Sequence, residues 1–399
     1  MTRKAKKYNM LVSLILATVL ALAIVMPTGI SDDNKIDNRI SSDDCNDTEI
    51  GHFTGIDPKT AEGMLPNTIY VDDDNTEGPW DGTQEYPYQY IQDGVNAANP
   101  GDTVFMFSGN YPERVTIDKT IDLIGEDRDT TVLDDSNSGI IIEEDTDYVT
   151  VSGFTIINSM PDSVALVISR YSEYTTVSDN NIYSYNEGIY VSGWYNDITD
   201  NIIQGEQPDI WSTGINFDIA DDNNIFNNTI DSYDVGIYLD GYYNTVAGNI
   251  ITNNTRWGIL VDGYCMGSCV YNNYFADNYG NAYAECDDCC SWYKSYPICG
   301  NYWDTYSGDD NFHGSGQDIP GSDGIGDRGY CLAYEGVDKY PLMIYHRIPG
   351  DINGDGVVNT ADLLVLLGEW GWPCSCADVN YDGIVNVEDL LILLGNWTG

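Results

Sequence analysis

The chain has 399 residues, 64 of them acidic and 16 basic, for a formal net charge of −48. Such a surface repels polyanions, which excludes nucleic acid as a partner and leaves cations and neutral polymers open. The length suits one large solenoid with small appendages.

The N-terminus reads as an export signal over residues 1–30, with Arg3, Lys4, Lys6 and Lys7 ahead of an apolar run from Met10 to Met26. Ser13 and Thr18 interrupt that run and no small-x-small cleavage site follows it. An uncleaved signal, the one route to a membrane contact, is therefore the alternative. Either way the bulk of the chain leaves the cytoplasm, to an extracellular or cell-surface location. Residues 31–68 are acidic and polar and read as a linker. Regular structure is expected from Ile69-Tyr70-Val71, followed by a short amphipathic helix with Ile91, Val95 and Ala98 on one face. That helix is placed over the open end of a stack of strands.

From Gly101 the chain becomes short strands between Asn, Asp and Gly turns. Gly188-Ile189-Tyr190-Val191 recurs as Gly214-Ile215-Asn216-Phe217, Gly236-Ile237-Tyr238-Leu239 and Gly258-Ile259-Leu260-Val261, at steps of 26, 22 and 22 residues. A second register runs through Asn181-Ile182, Asn201-Ile202, Asn228-Thr229-Ile230, Asn249-Ile250 and Asn273-Tyr274. This period, built from Ile, Val, Asn and Gly, predicts an all-β, right-handed parallel β-helix over about residues 101 to 290. Asn at the corners is expected to hydrogen-bond from coil to coil. Cys265, Cys269, Cys286, Cys289, Cys290 and Cys299 crowd the end of the repeat and are expected to pair as disulfides outside the cell. A zinc site at Cys286-x-x-Cys289 lacks a matching second pair.

Alternation along the repeated strand turns Ser192, Asp218, Asp240 and Asp262 outward, one per coil. Carboxylates stacked about 4.8 Å apart repel unless they share a proton or a cation. Tyr190 and Tyr238 precede them on the strand, and Trp194, Tyr242 and Tyr264 follow them. Aromatic faces beside carboxylates suit sugar rings. The plainer reading is Asp-Gly turns and tyrosines covering a sheet. Hydrolysis needs two carboxylates about 5 to 9.5 Å apart, which Asp218 with Asp240 or Asp240 with Asp262 could supply, with Asp221 and Asp222 as further candidates. Elimination would need a base such as Arg256. The polygalacturonase signatures Asn-Thr-Asp, Gly-His-Gly and Arg-Ile-Lys are absent, and none of His52, His313 and His346 lies in the repeat.

Near the C-terminus the segment Asp351-Ile352-Asn353-Gly354-Asp355-Gly356-Val357-Val358-Asn359-Thr360-Ala361-Asp362 returns as Asp378-Val379-Asn380-Tyr381-Asp382-Gly383-Ile384-Val385-Asn386-Val387-Glu388-Asp389. The spacing is that of a calcium loop, so two Ca2+ ions are expected. Asp351, Asn353, Asp355, the Val357 carbonyl, Asn359 and Asp362 would hold one. Asp378, Asn380, Asp382, the Ile384 carbonyl, Asn386 and Asp389 would hold the other. Asn359 is placed to cap the following helix, with Asp362 at its third position. Each loop leads into an apolar helix too short to stand alone, so the two are expected to pack together.

Two stretches resemble known families. Tyr70-Val71-Asp72-Asp73-Asp74, Ile91-Gln92-Asp93-Gly94-Val95, Pro100-Gly101-Asp102-Thr103-Val104, Gly109-Asn110-Tyr111-Pro112-Glu113 and Ile121-Asp122-Leu123-Ile124-Gly125 are similar to the opening coils of the NosD-like (CASH-type) β-helix family. Gly300-Asn301-Tyr302-Trp303-Asp304, Asp323-Gly324-Ile325-Gly326-Asp327 and Asp338-Lys339-Tyr340-Pro341-Leu342 resemble its C-terminal signature, although the insertion between Trp303 and Asp323 is longer than usual. This resemblance covers most of residues 69–345 and implies a pectin-lyase-like fold with carbohydrate-binding, carbohydrate-degrading or purely structural roles. Residues 349–399 resemble a type I dockerin, which implies attachment to a cohesin-like partner through Thr360, Ala361, Val387 and Glu388. The expected whole is a glycan-binding β-helix with a small α-helical, calcium-binding dockerin-like end. A polysaccharide-degrading enzyme and a structural surface protein are the alternatives.

Overall fold

The computed structural model describes residues 66–134, 139–161, 163–206, 211–285, 290–296, 300–334, 336–343, 350, 352, 357–368, 370, 377, 379 and 385–398. The expected export signal and most of the expected linker lie outside these residues, as do Cys286, Cys289 and Cys299. Among the described residues no helix is long and apolar enough to cross a membrane.

Three parallel sheets run along the stack. Sheet 1 has ten strands, from Thr68–Val71 to Cys290–Ser291, and sheet 2 has nine, from Gly109–Tyr111 to Tyr302–Trp303. Sheet 3 has eight, from Val115–Ile117 to Gly280–Ala284. One coil takes the chain from sheet 3 (Glu187–Val191) through sheet 1 (Asp197–Thr199) and sheet 2 (Ile202–Gly205) back to sheet 3 (Thr213–Phe217). This is a right-handed parallel β-helix. The pairing runs on at both ends of the 101–290 repeat, within the β-helix domain expected over 69–345 but for Thr68. Thr68–Val71 already pairs with Thr103–Met106, and Tyr302–Trp303 pairs with Tyr274–Ala276.

The glycine register is steric. Ile189, Ile215, Ile237 and Ile259 pair in sequence and are fully buried. A Cβ on Gly188, Gly214 or Gly236 would lie 2.5, 2.6 or 2.5 Å from the carbonyl oxygen of the next coil's glycine. In these three coils glycine lets the chain bend into sheet 3 without that clash, while Ala165 and Asn281 take the same position at the two ends of the run.

The asparagine register is a buried ladder. Nδ2 of Asn180, Asn201, Asn228, Asn249 and Asn273 each donates to Oδ1 of the next rung, ending on Asn301, at 2.9–3.1 Å. The first rung is Asn180, not Asn181 as expected, because Asn181 pairs with Ile202 and its side chain points outward to Asp129. A shorter ladder joins Asn223 to Asn244 at the corner between sheets 3 and 1.

Helix α1 (Ile91–Ala97) closes the N-terminal end, with Ile91 and Val95 fully buried. Glu113, from the coil beneath, accepts the Ile91 and Gln92 N–H groups at 2.7 and 3.0 Å, anchoring the start of the helix. At the other end Trp303 stacks between Phe275 and Tyr330 and closes the core. Asp338 terminates the ladder. It is fully buried and accepts the Asn301 N–H, the Trp303 indole N–H and the Tyr340 N–H at 2.6, 2.8 and 3.0 Å. Burial outweighs these three donors and pushes its pKa up to about 7, from an ordinary value of 3.8. The folded state then holds a proton that the unfolded state has released, so this contribution to stability declines as pH rises from about 4 to about 7. Thermal denaturation across that window should show the decline, on the order of a few kcal/mol. Asp338→Asn should flatten it, and an unchanged slope would refute the assignment.

The cysteine expectation is corrected in part. Cys269 is disulfide-bonded, but Cys265, Cys290 and Cys331 are thiols, and Cys290 Sγ donates to the Cys265 carbonyl at 3.9 Å. The cluster is therefore not fully cross-linked.

In the C-terminal segment, α2 (Thr360–Gly368) and α3 (Val387–Gly395) share a small core of Val358, Leu366, Ala377, Val385, Leu390 and Leu393. The last residues tie back to the first repeat through Thr398 N–H and the Val358 carbonyl, 2.9 Å apart.

Candidate functional site

The outer face of sheet 3 carries the acidic column. Asp218 N–H bonds the Val191 carbonyl and Asp262 N–H bonds the Leu239 carbonyl, which keeps Asp218, Asp240 and Asp262 in one row. Glu285 N–H bonds the Val261 carbonyl, so the row continues to Glu285, which the sequence reading missed. Each outward tyrosine reaches the carboxylate one coil further on. Tyr190 Oη donates to Asp218 Oδ2 and Tyr238 Oη to Asp262 Oδ2, both at 2.5 Å. Burial, reinforced by the hydrogen bond to Asp218, pushes Tyr190 up to about 12, and the same causes raise Tyr238. Both phenols therefore stay protonated and act as donors.

Asp240 stands between the two tyrosine-bonded carboxylates. Partial burial raises its pKa first, and the charges of Asp262, Asp218 and Asp221 add to the shift. Its Oδ1 is buried with no hydrogen-bond partner. Two of the three stacked carboxyls thus accept a tyrosine hydroxyl, and the third has its pKa raised.

The flanking aromatics need correction. Asp222 N–H bonds the Tyr242 carbonyl and Tyr243 N–H bonds the Met266 carbonyl, so Trp194, Asp221 and Tyr242 share a row and Tyr264 does not. The turn after Asp262 is longer and carries Tyr264 out to solvent, 64% exposed. Trp194 is half-buried, with Tyr171 edge-on to its ring at 5.5 Å.

Arg256 is also misplaced by the sequence reading. It precedes the strand Trp257–Val261 and Asp262 follows it, so the two stand at opposite ends of that strand, roughly 20 Å apart. Its guanidinium lies 3.9 Å from Asp234 Oδ2 and 4.7 Å from the Trp211 ring centroid. It is not a base for chemistry at the column.

Other aromatics occupy the same face. Trp257 rests against Gly280, where a Cβ would lie 2.1 Å from its ring. Tyr283 is 5.0 Å from Trp257, and Tyr334 stacks on Tyr283 at 5.5 Å. The residue before each repeated glycine (Glu187, Thr213, Val235, Trp257) was the sequence signal for this shelf.

The C-terminal loops repeat at the level of atoms. Asp362 Oδ1 and Oδ2 accept the Ile352 and Asn359 N–H groups at 2.9 and 2.8 Å, and Asp389 accepts those of Val379 and Asn386 at 2.6 and 2.7 Å. Both carboxylates are fully buried. Asn359 caps α2 through the Ala361 N–H, and Asn386 caps α3 through the Glu388 N–H. The expected ligands Asp351, Asn353, Asp355, Asp378, Asn380, Asp382 and Ile384 lie outside the described residues, while Val357 is exposed at the loop surface. Thr360, Ala361, Val387 and Glu388 are all exposed.

The family profile described as periplasmic copper-binding protein (NosD) matches residues 95–308, more than half of the chain. The chain belongs to the NosD family. In this NosD-family protein the matched span holds the sheet 3 column, Trp257 and Tyr283 of the shelf and the whole asparagine ladder from Asn180 to Asn301. No curated protein matches the chain. Three similar solved structures are XylC with xylose, the pectin methylesterase PemA from Erwinia chrysanthemi and the pectate lyase Pel9A. XylC is 13% identical with a TM-score of 0.43, covering 61% of this chain and 68% of its own. For PemA the figures are 18%, 0.35, 60% and 78%. For Pel9A they are 12%, 0.39, 63% and 84%. These figures add nothing to a fold that the strand pairing already defines.

Proposed function

We propose that this protein is an exported glycan-binding β-helix, attached or assembled through a calcium-loaded, dockerin-like C-terminal module. The observation that carries the reading is one face of sheet 3, where four aligned carboxyls stand beside the Trp257–Tyr283–Tyr334 shelf. Carboxylates accept sugar hydroxyls, and an aromatic shelf receives the C–H face of a ring. The family's association with the periplasm and the export signal support the location. Asp362 and Asp389 fit calcium as hard oxygen donors, each held by two N–H groups at the closing position of its loop. A cohesin-like partner would meet Thr360, Ala361, Val387 and Glu388 together with Leu364 and Leu391, which occupy matching, exposed positions on the two helices.

The family description also names copper. Copper favours imidazole, thiolate and thioether ligands. Among the described residues no three His, Cys, Asp or Glu side chains converge on a metal position, so these residues do not fit it.

A polysaccharide panel tests the glycan reading, scored for retention and for new reducing or unsaturated ends. Retention should fall at least ~10-fold in Trp257→Ala/Tyr283→Ala, a loss typical of removing stacked aromatic contacts. No retention of any polysaccharide would sink the reading. Asp240 supports a hydrolytic alternative, because burial and its neighbours' charges raise its pKa in a column that offers two further carboxyls. New reducing ends abolished by Asp240→Asn would establish that alternative.

A further inference from the structure

We propose that the corner between sheets 1 and 2 holds a second ligand site, built for a neutral polyhydroxyl compound such as a monosaccharide unit. It shares no residue with the sheet 3 column, so the two readings stand or fall separately.

The site is a cleft of about 580 Å³ lined by Arg128, Asp179, Asp200, Ile202, Asn227 and Thr229, a volume suited to a small ligand. One wall is the loop after the strand Asp122–Gly125, which reaches back across two further coils. Thr155 Oγ1 donates to the Arg128 carbonyl at 2.6 Å, and Asn181 Nδ2 donates to Asp129 Oδ1 at 2.9 Å. The Arg128 guanidinium bonds Asp179 Oδ1 at 2.8 Å. Loop and corner are thus held together by three hydrogen bonds that no local sequence pattern announces.

The opposite wall is a row of turn residues. Asp179, Asp200 and Asn227 occupy the left-handed region, with φ of 55°, 57° and 57°. Asp179 N–H bonds the Thr199 carbonyl, and Asp200 N–H bonds the Phe226 carbonyl, so the three side chains fall in consecutive coils. Ile202 gives the cleft an apolar wall, and Thr229 adjoins it in the sheet. Asn181, the sheet neighbour of Ile202, is 7% exposed and has an Oδ1 with no partner.

Charge balance selects the ligand class. Arg128 brings one positive charge against two carboxylates. A bare cation would face the guanidinium, and an anion would face Asp179 and Asp200. Neutral hydroxyls meet neither penalty. Carboxylates accept hydrogen bonds from adjacent hydroxyls, Arg128 keeps guanidinium donors beyond the one used on Asp179, and Asn227 and Thr229 both donate and accept. Burial and the neighbouring Asp179 raise the pKa of Asp200 while Arg128 opposes the shift, which places Asp200 inside the cleft's field.

The test is calorimetric and NMR titration of the full chain with D-glucose, D-galactose, D-mannose and D-xylose. At least one should bind saturably at one site. Affinity should fall at least ~10-fold in Asp200→Asn and in Arg128→Gln, a loss expected when a charged hydrogen-bonding group is removed. It should be unchanged in Trp257→Ala/Tyr283→Ala. Asn suits the left-handed backbone at 200, so that variant should keep its fold, verified by its denaturation midpoint. No binding of any of the four sugars would overturn the proposal, as would binding indifferent to both corner substitutions. Calcium or phosphate bound instead, and lost in Asp200→Asn, would overturn the neutral-ligand assignment.

Discussion

Asn228→Ala should lower the stability of the β-helix by about 3–5 kcal/mol. The side chain is fully buried and makes five hydrogen bonds. Its Oδ1 accepts the Asn201 N–H and Asn201 Nδ2, both at 3.0 Å. Its Nδ2 donates to the carbonyls of Ile198 and Phe226 at 2.8 and 3.0 Å, and to Asn249 Oδ1 at 3.1 Å. Truncation leaves donors of one coil and carbonyls of two without partners where water does not reach. Each such group costs about 1–3 kcal/mol, less whatever local relaxation recovers. Coils touch only their neighbours, so the break falls in the middle of the stack rather than at a frayed end. The adjacent Asn227 is half-exposed at a left-handed position, and Asn227→Gly should cost under about 1 kcal/mol. Denaturant midpoints of the two variants make the comparison. Equal midpoints would mean the ladder decorates the corner without holding it.

Chelating calcium should unfold the C-terminal module while the β-helix stays folded. The module's core is six buried residues, and Asp362 and Asp389 bury two carboxylates beside it. Two N–H bonds apiece offset only part of the cost of desolvating those charges. A bound cation would supply the remainder, making binding and folding one event. Titration should find two calcium ions per chain, with one lost in Asp362→Ala and the other in Asp389→Ala. Trp370 and Trp397 pack against this core, and their fluorescence should report the transition. Helical signal that survives EGTA, with no calcium uptake, would refute the assignment.

Much of this molecule is written in short stretches. The step from Ile189 to Ile215, Ile237 and Ile259 is legible because an apolar residue must recur wherever coils stack in register, as Leu166 and Ala282 also do. The acidic column followed from the same counting, since Asp218, Asp240 and Asp262 sit one residue beyond a strand of constant length. Counting failed wherever a turn changed length. The longer turn after Asp262 ejected Tyr264, and Asp221 entered the row between Trp194 and Tyr242. Asn180 was passed over for Asn181 because two asparagines adjoin and only the inward direction separates them. Arg256 is close to Asp262 in number, but a strand keeps its two ends apart.

By itself, then, the sequence determined the coil, its glycine bend, its asparagine corners and the duplicated helical end. Each rests on a repeated local pattern that the backbone can satisfy in one way. Only the tertiary structure decided what meets across coils: Tyr238 on Asp262, Trp257 over Gly280, Asp338 on the last ladder rung and Arg128 on Asp179. Those contacts join residues from 23 to 51 positions apart. Turn length, left-handed corners and loop reach set them, and none of these leaves a periodic mark in the chain.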